Sequence, residues 1–420
     1  MAPITVATNG RLAVTSDTLA AIPDNVPPEL VVDFDFFSLV DAIERGEAED
    51  IQSAWAVLHK GPDIVWTPRY GGYWIATRAA DIDVIQIDHE HFSHNEFDIP
   101  LVPGRVKSIP LSLDPPEHTP YRKLLMTAFT PQKVRAFSQI ARDTAQALVA
   151  KLKPRGECEF IDEFAKVLPI QVFLSMMDLP LEDREWLLPR VEIAVRSADI
   201  EAKTKNQGEL VGYLMQHIAA RQEKPGEDLL SMIVHGEVEG RALNPMEIMA
   251  MSMLVLVGGL DTVASQLGFV AHYLARHPEQ RRELIDNPKL IPVACEEFLR
   301  RFGLPNTARE ITMDFEYKGL KFKKGDMIQA PKCLYGLDDR VNERPFEVDF
   351  HRKPSSIKHA AFGAGPHICP GNVLARRELI VFLEEWLPAI PDFTIDPERP
   401  PVFAAGSVNG VDKLYLKWRT

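Results

Sequence analysis

Cys369 lies in the run Phe362-Gly363-Ala364-Gly365-Pro366-His367-Ile368-Cys369-Pro370-Gly371. Glycines on both sides of a cysteine let backbone amides close around a single sulfur atom. A helix reads from Asn372 to Leu387 directly afterwards, with Arg376 and Arg377 in its first turns. A helix N-terminus favours negative charge beside it, so the loop favours a thiolate, the form of cysteine that binds metals. A cysteine in a glycine-rich loop, taken alone, is more often a small buried hydrophobe; the whole ten-residue run reverses that preference.

Three further groupings carry chemistry. In Gly258-Gly259-Leu260-Asp261-Thr262, two glycines interrupt an apolar helical pattern at about 1 kcal/mol each relative to alanine. They read either as a packing notch or as a gap through which a flat group approaches. In the second reading the Thr262 hydroxyl bonds back to helix carbonyls, and an acid beside an alcohol is suited to relaying protons. Glu297 and Arg300 are three apart, on one helical face. That spacing is common by chance, but the apolar stretch from Cys295 to Phe302 predicts burial, with an arginine or backbone carbonyls as further partners. His118 and Arg122 follow the turn Asp114-Pro115-Pro116 four residues apart; alone they read as a solvated face.

The elements that position these residues are mostly helical. The 3.6-residue apolar period runs through Val134–Leu152, Glu209–Arg221, Pro245–Arg276 and Pro292–Phe302. Pro245–Arg276 would be roughly 48 Å long, enough to cross the molecule. Strand patterns occur at Tyr73–Thr77, near Tyr317–Met327 and at Val411–Trp418. The expectation is a mainly α fold with a small β-rich region. Residues 1–32, with Pro23, Pro27 and Pro28, read as an extended N-terminal arm, and 33–420 as one domain. A chain of 420 residues with 45% hydrophobic content can bury one large core. Its four cysteines form no CxxC or CxxH pair, so neither a zinc site nor a disulfide framework is suggested. A net charge of −13 opposes nucleic acid and anionic membranes. Without a signal-like start or about 18 uninterrupted apolar residues, the expected location is the cytoplasm.

Taken together, in this order and at these separations, the four groupings resemble the cytochrome P450 superfamily. The matches are the acid-alcohol motif, EXXR, and the FxxGxxxCxG loop at Phe362, Gly365, Cys369 and Gly371. Gly71–Arg78, Val257–Val263, Cys295–Phe302 and Phe382–Phe393 are similar to the camphor-hydroxylating bacterial branch in particular. The resemblance implies a cytochrome P450 fold with haem b between a long distal helix and the proximal cysteine loop. Cys369 would be the axial ligand of the haem iron, pushing electron density onto it and favouring O–O cleavage. Asp261 and Thr262 would deliver the protons that oxygen activation consumes. Gly258, Phe362 and Gly371 would contact the haem, while His118, Arg122, Arg309 and His367 would bind its propionates. Glu297 and Arg300 would be structural.

By the same resemblance, Val106, Leu111, Leu254, Val257, Pro305, Thr307 and Val408 would line an apolar pocket for a small terpenoid-like substrate. Camphor-hydroxylating members carry a ketone-binding tyrosine where Val106 falls. An ionone-type norisoprenoid is therefore expected ahead of camphor. Electrons would come from a [2Fe–2S] ferredoxin and its NADH-dependent flavoprotein reductase, with Arg122, Lys123, Arg376 and Arg377 as a basic landing site. The oxidant would be O2, and the protein a monomer without nucleic-acid or membrane partners. The rivals are a peroxide-driven peroxygenase of the same fold, a haem sensor without catalysis, and a colourless helical scaffold. Turnover with peroxide alone, turnover with NADH and ferredoxin, and colour separate them.

One departure stands out: Pro370 follows the ligand and has no N–H to donate toward sulfur. More charge then stays on the sulfur. Pro370→Leu is expected to raise the haem reduction potential, and equal potentials by potentiometry would dispose of the idea.

Overall fold

The computed structural model describes residues 19–420. In chain order, the helices that bear on the site are α1 (His118–Met126), α2 (Pro131–Leu152), α3 (Val167–Met177), α4 (Arg184–Arg196), α5 (Ile200–Glu223), α6 (Pro245–Leu260), α7 (Thr262–Arg276), α8 (Ile291–Arg301) and α9 (Asn372–Ala389). Local chemistry sets several starts. Thr130 accepts from the Lys133 amide with Pro131 in the first turn of α2, and Asp199 accepts from two amides of α5. Asn244 and Glu247 form a reciprocal capping box around Pro245 at the head of α6.

The segment read as one helix over Pro245–Arg276 is two. Asp261, at φ −114° and ψ −39°, joins α6 to α7, and the ladder resumes with the Ser265 amide on the Asp261 carbonyl. By length and a mean hydropathy of 1.7 this pair could cross a membrane, yet 61% of its most apolar window is buried inside the protein. Its apolarity belongs to a core helix: Leu267, Phe269, Val270, Ala271 and Leu274 of α7 are fully buried.

The small β region follows the sequence patterns. A five-stranded sheet runs in the order Ile64–Thr67, Tyr73–Ala76, Met327–Gln329, Ala308–Ile311, Phe92–Ser93, and its second and third strands are parallel. Of the arm expected over 1–32, residues 1–18 lie outside the described residues. The rest runs along this sheet: the Ala20 amide bonds Pro68 O, the Val32 amide bonds Trp66 O, and Val26 is buried in the core.

Beneath α7 the polypeptide is locked by charge. Glu297 and Arg300 are both fully buried. Arg300 donates to both Glu297 oxygens at 2.8 Å and to the carbonyls of Gly336, Pro345 and Glu347 at 2.6–2.7 Å. Arg352 and the Asp349 amide also bond Glu297 Oε1, at 2.8 and 3.1 Å. Gly336 is needed here, since a Cβ would lie 1.9 Å from Arg300 O. The network fixes residues 336–352, the segment that leads into the cysteine loop. Removing one partner of a buried pair strands the other charges. Glu297→Ala is therefore expected to lower stability by about 3–5 kcal/mol, and urea unfolding within 1 kcal/mol of wild type would show the network to be dispensable.

Candidate active site

The cysteine loop needs its glycines: Gly363 and Gly365 have φ of 74° and 66°. The Cys369 amide bonds Phe362 O at 2.8 Å, the Gly371 amide points to Sγ, and the Asn372 side chain caps Cys369 O at 2.6 Å. Arg376 braces the loop from α9. Its guanidinium lies 4.4 Å from the Phe362 ring centroid and pairs with Glu296 of α8 at 2.5 Å, and His359 lies 3.1 Å from the same carboxylate. Burial nevertheless pushes the Cys369 thiol above its ordinary range, against the Gly371 amide, Arg122 and Arg376. The loop was expected to favour a thiolate; in the structure desolvation outweighs the Gly371 amide and the two guanidiniums, and a metal cation bound there would favour the anion.

Opposite the loop, the two glycines divide both readings of their motif between them. A Cβ on Gly259 would lie 2.3 Å from the Phe173 ring of α3, a packing notch. A Cβ on Gly258 would meet nothing, because Gly258 faces the cleft that holds Cys369. Thr262 also lines this cleft, its hydroxyl 3.4 Å from Gly258 O. Asp261 is buried and turns the other way. Arg196, at the end of α4, holds it at 2.8 Å and also donates to Ser265. A buried carboxylate requires such a cation. The sequence reading missed this partner, 65 residues away in the chain.

The far end of the cleft is basic. The rings of His94 and His118 flank His367, with centroids 4.0 and 4.5 Å away. His118 Nε2, His367 Nε2 and His94 Nδ1 are buried without a hydrogen-bond partner; His367 Nε2 lies 3.8 Å from Asp114, beyond bonding reach. Burial, followed by His367 and Arg122, pushes His118 down to about 4. Arg309 is wholly buried, donates to Ala308 O at 2.8 Å, and is pushed down to about 9 by desolvation. Unpaired buried donors at one end, a buried sulfur on one face and a side-chain-free helix surface on the other suit a flat dicarboxylate that carries a metal. Arg122, Phe362 and Gly371 line the same cleft.

The rest of the wall is apolar. Leu111, Leu254, Pro305 and Thr307 line it as expected, joined by Val172, Phe173 and Met176 of α3. Val106, Val257 and Val408 are not among the lining residues. The Val106 amide bonds Gln207 of α5. Val257 packs against the helical core cluster, while its neighbours Leu254, Val255, Gly258 and Thr262 line the cleft. Val408 packs on the main core and contributes a backbone bridge to Pro305. Glu378 of α9 also reaches the cleft, where burial pushes its carboxyl up to about 8.

Fold and cleft together suit a haem protein, with an apolar cleft between the cysteine loop and the Gly258 helix. The comparisons agree. A family model described as cytochrome P450 matches residues 200–390. The chain is 33% identical over 403 residues to a probable cytochrome P450 127A1 of Sinorhizobium fredii, covering 94% of this chain and 97% of that protein. The crystal structure of CYP101J2 superposes with a TM-score of 0.85 at 37% identity, covering 96% of this chain and all of that one. A Mycobacterium marinum cytochrome P450, CYP268A2, solved in complex with pseudoionone, gives 0.83 at 27% identity, covering 94% of this chain and 100% of that one. The chain belongs to the cytochrome P450 family, whose cofactor is haem b, and is a monooxygenase. The resemblance to the camphor-hydroxylating branch agrees with its structural neighbours.

The two glycines can be told apart by substitution. Gly259→Ala is expected to destabilise the fold by about 1–3 kcal/mol through overpacking on Phe173. In the haem-free protein Gly258→Ala is expected to leave the melting temperature unchanged or raised, since its Cβ meets no protein atom and alanine is the better helix former. The opposite ranking in thermal melts would reverse the assignment.

Proposed function

We propose that this enzyme inserts one oxygen atom of O2 into an unactivated C–H bond of a small apolar terpenoid-like compound. A norisoprenoid such as ionone is favoured over camphor. The observation that carries the reading is a single cleft in which an apolar wall, the Gly258 gap, the Thr262 hydroxyl and Cys369 face one another. Among the described residues lining that cleft there is no tyrosine to bind a ketone, so the preference stands although Val106 lies elsewhere. The relative solved with pseudoionone adds support for that substrate class.

Haem bound to Cys369 supplies the oxygen activation. The chain's own residues do the rest. Leu111, Val172, Phe173 and Leu254 surround the substrate and exclude water. Thr262 holds a hydroxyl proton at Oγ1 facing the cleft, with Gly258 O as its nearest acceptor. Asp261 restores that proton from outside, which requires its bond to Arg196 to open. His118, Arg122, Arg309 and His367 would hold the haem carboxylates, and Gly258, Phe362 and Gly371 would pack against the haem. Two electrons from NADH and two protons leave as water with the second oxygen atom.

We further propose delivery of those electrons by a flavoprotein reductase and a [2Fe–2S] ferredoxin, with the enzyme working as a cytoplasmic monomer. Arg376 is engaged by Glu296 and Arg122 by the cleft and Ile368 O, so the freer charges on the cysteine side are the exposed Lys123, Arg135 and Arg377. They suit an acidic ferredoxin.

Optical titration of the ferric enzyme is expected to give a large low-spin to high-spin shift with ionone and little with camphor; the reverse ranking contradicts the substrate assignment. With ferredoxin, reductase and NADH, Asp261→Asn is expected to lower product formation by about 10²-fold. Thr262→Ala should keep NADH consumption and lose most of the product. Unimpaired product yield in both variants, or wild-type turnover on peroxide alone at the full rate, would contradict the proton-delivery reading.

A further inference from the structure

Lys332 is a buried cation without an ion-pair partner among the described residues; Asp83 bears on it only at longer range. It opens the short helix Lys332–Gly336 after Ala330-Pro331, is 4% exposed, and its Nζ donates to Ala330 O at 3.1 Å. Among the described residues no carboxylate lies within ion-pair distance of Lys332 or Arg309, and these two cations bear on each other repulsively. His94, with its unpartnered Nδ1, feels both. All three line the cleft that holds Cys369. Lysine is almost never fully buried unless paired, and an apolar side chain of equal length would be less costly at such a position. Burial together with Arg309 pushes the Lys332 ammonium well below its ordinary range, against the weaker opposing pull of Asp83.

We propose that Lys332 is a further haem-binding residue, pairing its ammonium with a haem carboxylate beside Arg309. This rests on the reading of the cleft as the haem site. The pair places one more positive charge near the metal, which stabilises the reduced state. It therefore acts against the lowering of potential expected from Pro370.

The test uses the holoenzyme and its Lys332→Met and Lys332→Gln variants, each loaded with iron protoporphyrin IX or with the dimethyl ester of that haem. Transfer of haem to an excess of apomyoglobin gives the loss rate, and potentiometry gives the midpoint. With free propionates, both variants are expected to lose haem about tenfold faster than wild type and to have lower potentials. Lys332→Arg should restore both. With the ester, wild type and variants should lose haem at the same rate, because nothing is left for the ammonium to pair with. Equal loss rates and potentials with the free acid overturn the proposal while leaving the haem site intact. An equal acceleration with acid and ester also overturns it, since the lysine would then only support the fold. A wild type that takes up no haem would overturn the reading of the cleft itself. If Lys332→Met does not fold, the isosteric polar Lys332→Gln decides.

Discussion

A sulfur anion in a largely apolar interior is costly: desolvation favours the neutral thiol, and a few amide hydrogen bonds do not offset it. At Cys369 the balance lies on the side of the thiol despite the glycine loop, the Gly371 amide and two nearby guanidiniums. A metal cation bound to the sulfur would reverse that balance. Much of the surrounding structure serves this one requirement. The Glu297–Arg300–Arg352 network fixes the approach to the loop, Glu296 and Arg376 brace its exit, and Gly258 leaves the opposite helix without a side chain so that a flat metal carrier fits between.

The basic end of the cleft repeats the logic with the signs inverted. Three histidines with idle ring nitrogens, a buried Arg309 and a buried Lys332 line the same end, where Asp114 bears on Arg309 and His367 and Asp83 on Lys332, neither acid within ion-pair distance of Arg309 or Lys332. A haem bound in this cleft would bring a metal cation to the cysteine end and carboxylates to the basic end. Haem b provides the two together. Such pairings would contribute to binding of the cofactor.

Features set by short-range geometry were legible in the sequence. The cysteine loop could be read because glycines at fixed offsets have a local meaning, and the helices because their apolar period is local too. The strand of Tyr73–Ala76 and the hairpin of Phe315–Phe322 followed from alternation and turn residues. What depends on distant partners could not be read. Asp261 looked like a cleft-facing acid until Arg196, from another helix, was seen to hold it. Lys332 gave no signal, since a lysine between Pro331 and Cys333 reads as an ordinary surface charge until its burial is known. Val106, Val257 and Val408 were placed in the pocket by matched position, and the helix face, the 97–107 loop and a backbone bridge put them elsewhere. The α3 wall of Val172, Phe173 and Met176 was missed because that helix is apolar except at Gln171 and Ser175, so its pattern does not say which apolar residues turn to the cleft and which to the core.

The central claim is that Cys369 binds the haem iron as a thiolate. The most direct measurement is the absorption spectrum of the reduced, carbon monoxide-bound protein beside that of Cys369→Ser. Wild type should show the red-shifted Soret band that a thiolate opposite carbon monoxide produces, and the variant should lack it while its helical circular dichroism is kept. A wild type without that band, or a variant that retains it, would contradict the account.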